Sequence, residues 1–172
     1  EPLVWRHKKT NNKMLRLAFK DGIKMLHEAG IEQDAFADIG SVVEHKLGML
    51  VKEKYGVDFY IMDQYPMNAR PFYTMPSPDD ARYSNSYDAF VRGEEITSGA
   101  QRVHDYDLLV KQATLDVKDL KQIKGYMESF KYGSWPHGGC GIGLERLTML
   151  YLGLNNIRKT SMFPRDPKRT FP

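Results

Sequence analysis

Read for its alternation of apolar and polar positions, the chain opens its ordered part with Leu15, Leu17 and Phe19 set against Arg16 and Ala18, a short strand. Asp21 then fits the cap of a helix carrying Ile23, Met25, Leu26 and Ala29 on one side, and Gly30 is placed to end it. Ser41 and Glu44 have the spacing of a capping box, with Leu47, Leu50 and Val51 continuing the stripe towards a stop at Gly56. Phe59-Tyr60-Ile61-Met62 and Phe72-Tyr73-Thr74-Met75 are rich in strand formers, separated by a bend between Pro66 and Pro71. Residues 75–80 read as a loop.

Tyr87 to Val91 and Glu95 to Val103 form the next strand pair, joined by a tight turn at Arg92-Gly93 that implies antiparallel pairing. From Tyr106 to Phe130 the period becomes helical, with Leu108, Leu109 and Ala113 on one helix and Leu120, Ile123, Tyr126 and Met127 on another. A loop at 133–136 leads into a glycine stretch, and a helix from Gly143 to Leu152 ends at Gly153. Central strands with flanking helices predict an α+β fold built on an antiparallel sheet. The ends read as an irregular segment or linker over 1–12 and an extended basic strap from Asn155.

Composition narrows the class without deciding it. The chain has 172 residues, 41% hydrophobic and 27% charged, enough for one domain with a real core. A net charge of +3 does not indicate nucleic-acid binding. With Cys140 as its one cysteine the chain makes no internal disulfide and no cysteine zinc site, which points to a reducing compartment. No apolar run approaches a membrane span and residues 1–6 lack the order of a secretion signal, so a cytoplasmic location is expected.

Two clusters carry chemistry. Gly138-Gly139-Cys140-Gly141-Ile142-Gly143 runs into Leu144-Glu145-Arg146-Leu147, so glycines that let a ligand lie against the backbone precede a helix start with an arginine in its first turn. A polyphosphate or a carboxylate suits that arrangement. No Gly-Lys-Ser/Thr follows, which excludes a P-loop, and too little chain remains for a dinucleotide-binding unit. The second cluster is Asp88, Glu94, Glu95, Ser98 and Arg102, where carboxylates on neighbouring strands suit magnesium and the arginine fork suits an acid. A solvated charged sheet face accounts for the second cluster equally well taken alone. Strict alternation puts Asp88, Glu94, Ser98 and Arg102 on one side and Glu95 on the other, so Glu95 joins them only through a bulge, expected near Ser98-Gly99; in a regular strand Glu94 takes its place.

Residues 83–88 (YSNSYD), 92–105 (RGEEITSGAQRVHD) and 141–146 (GIGLER) resemble the C-terminal part of the catalytic domain of class II aspartyl-tRNA synthetases of the archaeal and eukaryotic type, and residues 153–158 and 163–167 are similar too. The resemblance covers most of the chain. It implies ATP bound in bent form, activation of aspartate as an adenylate, and transfer to tRNA(Asp) by a homodimer. It places Arg146 on the γ-phosphate, Asp88, Glu95 and Ser98 at magnesium, and Ser98 and Arg102 with the substrate aspartate. Gly139, Gly141 and Gly143 then form the nucleotide platform, and His137 borders the amino-acid pocket. Arg146, Glu95 and Arg102 are the residues implied in catalysis.

The family's motifs 1 and 2 are not found in the sequence, so the chain reads as part of a longer enzyme, inactive in isolation. Alternatives are an asparaginyl-tRNA synthetase, a noncatalytic synthetase-like binding module, and a nucleic-acid module built on Arg158, Lys159, Arg165, Lys168 and Arg169.

Overall fold

The computed structural model describes residues 2–6 and 13–171. Five strands form one sheet in the order β1-β2-β3-β4-β5: β1 Leu15–Ala18, β2 Phe59–Asp63, β3 Ser86–Val91, β4 Glu94–Arg102 and β5 His137–Ile142. β1 runs parallel to β2 and every other pairing is antiparallel, so the sheet is mixed and the expected all-antiparallel order fails at its first strand. The reason is the helical crossover that follows β1, since parallel neighbours need a long connection.

α1 (Phe19–Glu28) and α2 (Ser41–Tyr55) make that crossover. Phe19 starts α1 instead of ending β1; it is fully buried with its ring 4.8 Å from Tyr65. Asp21 accordingly sits in the helix's first turn and favours its dipole, while the cap is Ala18. α2 is capped by Gly40 with no side-chain hydrogen bond, so Ser41 and Glu44 make no capping box and Glu44 is left for other partners. Together α1 and α2 cover one sheet face, burying Leu26, Leu47 and Val51 against Tyr60, Met62 and Phe90.

α5 (Leu144–Leu152) covers the opposite face, where Leu150 and Leu147 meet Phe59, Ala89, Val91 and Ile96. The strand β5 takes up the glycine stretch, for which the sequence had suggested no element. α3 (Tyr106–Asp116), capped by Asp105 through the Leu108 N–H, and α4 (Lys124–Ser129) enclose a third cluster with Phe72, Tyr73 and Met75. Phe72–Met75 forms no regular strand, but Met75 N–H donates to Gln101 and Val103 N–H to Tyr73, tying it to the end of β4. The Pro-rich segment cannot supply a full ladder.

At the N-terminal end, Val4 exchanges hydrogen bonds with Asp58 and Trp5 packs 5.3 Å from Phe59, so residues 2–6 are docked on β2; the rest of the expected linker, 7–12, lies outside the described residues. The basic tail folds a turn of 3-10 helix over Ile157–Thr160 and pairs Arg158 with Asp166, so it is not a simple strap. No helix among the described residues is long and apolar enough to cross a membrane.

Candidate active site

The β3–β4 hairpin decides which acidic residue joins the site. Arg92 and Gly93 both have positive φ, 54° and 78°, giving the two-residue turn whose twist matches the strands. Thr97 pairs with Ala89 but Glu95 pairs with Phe90, so Ile96 is an extra residue bulged out of the ladder. The bulge lies two residues before the expected Ser98-Gly99 position and has the required effect. Past it, Glu95 shares a face with Asp88, Ser98 and Arg102, because cross-strand partners point the same way. Glu94, opposite Val91 at the turn, instead sits 3.6 Å from His45 of α2.

On β5 the same register sets Gly141 opposite Ser98, Gly139 opposite Ala100 and His137 opposite Arg102, so the site face of this strand carries two glycines in succession. Their missing side chains have different uses. A Cβ on Gly139 would lie 2.9 Å from Arg102 Nη2 and 3.1 Å from its Cζ, so the guanidinium rests flat on the glycine; around Gly141 a Cβ would meet nothing within 4 Å. Arg102 also lies 5.4 Å from the Tyr73 ring centre. His137 Nδ1 donates to the Trp135 carbonyl at 3.0 Å and the imidazole stacks 6.0 Å from Phe130 at the rim. A cleft of about 340 Å³ lined by Arg70, Tyr73, Ser98, Arg102, Gly139 and Gly141 joins these groups.

Arg146 stands in the first turn of α5 and donates to the backbone carbonyl of Glu95. Gly143 N–H donates to the Ile96 carbonyl, so the bulge, the glycine and the arginine are locked together. Burial pushes the Glu95 carboxyl up, as does the Asp88 charge, while Arg146 and Arg70 pull it down. Glu44 on α2 is pushed up to about 7 by burial first and then by Glu95, Asp38 and Asp88, with Arg146 opposing. Of the four residues named from sequence, Asp88, Glu95 and Arg102 are thus spread along one face of the β3–β4 pair, with Arg146 at the Glu95 end and Arg102 at the other.

Two site residues escaped sequence reasoning. Arg70, with a side chain 10% exposed, holds Asp88 through Nη2–Oδ2 at 2.6 Å and Nη1–Oδ1 at 3.1 Å, donates from Nη1 to Ser98 Oγ at 3.0 Å, and stacks 3.8 Å from the Tyr65 ring centre. Its only sequence signal was an arginine directly before Pro71 in a segment that forms no long element. Glu44 was read as a cap. The oxygen donors of Asp88, Glu95 and Ser98 suit a hard cation in kind. Among the described residues no three His, Cys, Asp or Glu side chains group closely enough to hold a metal.

Compared with known proteins, residues 4–167 match the family model for tRNA synthetases class II (D, K and N). The chain belongs to that family. It is 58% identical over 158 residues to the cytoplasmic aspartate--tRNA ligase of Homo sapiens, covering 92% of this chain and 32% of that protein. Among solved structures, an aspartyl tRNA synthetase from Entamoeba histolytica aligns with a TM-score of 0.92 at 54% identity over 100% of this chain and 34% of its own. An asparaginyl-tRNA synthetase from Pyrococcus horikoshii, complexed with asparaginyl-adenylate, aligns at 0.83 with 32% identity over 96% of this chain and 37% of its own. The chain therefore spans about a third of the length of these relatives. The chain aligns over nearly its whole length with enzymes of both kinds, so the fold alone does not separate aspartate from asparagine enzymes.

Proposed function

We propose that this chain supplies part of the active site of an aspartate–tRNA ligase, which activates aspartate with ATP and transfers it to tRNA(Asp). The observation that carries this reading is Arg102 lying flat on Gly139, its fork open to the cleft, on the same face as Asp88, Ser98 and Glu95. A planar guanidinium backed by a glycine presents two parallel donors to a carboxylate, which suits an acidic amino acid.

The reaction needs no protein nucleophile. The α-carboxylate of aspartate attacks the α-phosphorus of ATP and pyrophosphate leaves with its electrons; the protein aligns the two anions and balances their charge. Arg102 takes the side-chain carboxylate, with Ser98 beside it and His137 bordering the pocket. Gly141 and Gly143 leave room for the nucleotide against the backbone, whereas Gly139, expected beside them, is covered by Arg102 and serves the aspartate side; Arg146 faces the γ-phosphate. Magnesium, held through Glu95 with Asp88 and Ser98 near it, supplies positive charge to the phosphates when bound. The family's motif 1 and 2 residues are required in addition, so the segment in isolation is proposed to be inactive.

Identity of 54–58% to aspartate enzymes against 32% to the asparagine enzyme favours aspartate. Homodimerisation and a cytoplasmic site are proposed with it, the latter supported by the names of the relatives. The nucleic-acid alternative is weakened by Arg158 being paired with Asp166 and Lys159 with Asn155. The test is a chimera of the human relative whose matching 158 residues are replaced by those of this chain. Aspartate-dependent ATP–pyrophosphate exchange is expected. Exchange driven by asparagine instead, or none in a folded chimera, overturns the reading.

A further inference from the structure

Asp88 and Ser98 are on the metal-facing side of the sheet, yet both are already occupied. Each carboxylate oxygen of Asp88 accepts from a different Nη of Arg70, and Nη1 also donates to Ser98 Oγ. Both ends of the ion pair are withdrawn from water, with side chains 10% and 6% exposed. Tyr65 closes the arrangement: its ring stacks on the guanidinium at 3.8 Å and is itself packed on Phe19. Arg70 Nε has no partner, so what holds this guanidinium in place is Asp88, Ser98 and Tyr65. A bidentate, buried pair of this kind is among the stronger ion pairs, and taking one partner away leaves the other charge stranded. Glu95, by contrast, is half-buried, and its side chain has no ion pair or hydrogen bond within contact distance among the described residues; Arg146 reaches its backbone carbonyl.

We infer that Arg70 is the positioning residue of the cation site: it serves as a resident counter-charge that fixes Asp88 and Ser98 and competes with the divalent ion for Asp88, so that Glu95 is the carboxylate the ion meets first. This rests on reading the site as one that takes a magnesium nucleotide. Two consequences follow from charge balance. The site stays shaped without its ion, because Asp88 is neutralised at all times. The free ion is held weakly, because one of its two carboxylates must be won from a guanidinium, and phosphate oxygens arriving with the nucleotide make up the deficit.

The experiment uses the 172-residue chain itself with magnesium, and with manganese as a spin probe. In a carbon-13 and nitrogen-15 labelled sample, the Glu95 carboxyl signal is expected to move with magnesium first, while the Asp88 carboxyl and the Arg70 Nε signals stay in place or move together at higher concentration. Asp88 and Glu95 responding with one midpoint while Arg70 does not move overturns the inference but leaves the magnesium site standing. No response from either carboxyl across millimolar magnesium overturns the site reading as well. Arg70→Met, which frees Asp88, is expected to bind manganese about tenfold or more tightly than the unmodified chain by electron paramagnetic resonance, and Asp88→Asn added to it should reverse the gain. A folded Arg70→Met chain that binds manganese equally or more weakly contradicts the proposal; where that variant does not fold, the labelled unmodified chain decides. A merely structural arginine would give weaker binding on removal, never tighter.

Discussion

Gly48→Ala and Gly125→Ala are the same substitution in two helices, and they should change stability in opposite directions. An ideal Cβ on Gly48 would fall 2.4 Å from the Gly93 Cα and 2.6 Å from its nitrogen, while Gly93 in turn lies against the α2 backbone at Glu44 and His45. Ordinary contact lies at 3.4–4 Å, so the methyl must move α2 and the β3–β4 turn apart by about 1 Å, and neither side is a flexible side chain. Overpacking costs about 1–3 kcal/mol, and a clash with backbone on both sides belongs to the upper part of that range, about 2–3 kcal/mol. Set against it is the gain in helix propensity and the lower entropy of the unfolded chain, about 1 kcal/mol. The clash wins, for a net loss of about 1–2 kcal/mol, or roughly 2–8 °C in Tm for a domain of this size. In Gly125, nothing lies within 4 Å and the residue is inside α4, so the propensity gain stands alone at about 0.5–1 kcal/mol. Thermal unfolding followed by circular dichroism measures both. Gly48→Ala melting at or above the unmodified chain would refute the claim that glycine pins α2 to the hairpin that carries Glu95.

Gly139→Ala should leave Tm within the range of a neutral surface change but displace Arg102, raising the aspartate KM of the chimera about 10–100-fold; Gly141→Ala, with open space around it, should act on the ATP KM instead, and the reverse pattern would contradict the assignment of the two glycines. Arg146→Ala removes an exposed side chain and its one hydrogen bond to the Glu95 carbonyl, so folding should lose no more than about 1 kcal/mol while exchange falls by the equivalent of about 2–4 kcal/mol; near-normal exchange would remove Arg146 from the site. Glu44 titrates at about 7 in the folded chain against 4.5 ordinarily, so between those values the folded state holds a proton that the unfolded state has lost. Its contribution is therefore most favourable below pH 4.5 and declines as pH rises through 7. Half-exposure reduces the effect to about 1 kcal/mol. Glu44→Gln should accordingly raise Tm at about pH 8 and change little at about pH 4, and an equal change at both would refute the burial argument.

Much of this site was legible because it lies on regular elements with strong local signals. The Arg92-Gly93 turn fixed the hairpin, and register then carried Asp88, Ser98 and Arg102 to one face. The need for a bulge was legible as well, since Glu95 has the wrong parity in a regular strand, but its place was not: Ile96 is where the strand yields because its side chain finds the α5 cluster on the opposite face. Phe19 continued the β1 alternation although it belongs to a helix, because one buried aromatic satisfies either period at a junction. The glycines of β5 carry no strand signal of their own, whereas pairing with β4 makes them a strand. Arg70 was invisible for a different reason. Its partners are 18 and 28 residues away, and it sits in an irregular segment where neither period applies.

The most direct test is a crystal structure of the chimera with a non-hydrolysable aspartyl-adenylate analogue. The side-chain carboxylate is predicted to lie on the Arg102 fork above Gly139, with the adenosine over the Gly141 side, the phosphate mimic towards Glu95, and Arg146 beyond it where the γ-phosphate of ATP would lie. An analogue bound with its carboxylate on other residues, and with Arg146 turned away from the Glu95 end of the sheet, would contradict the account.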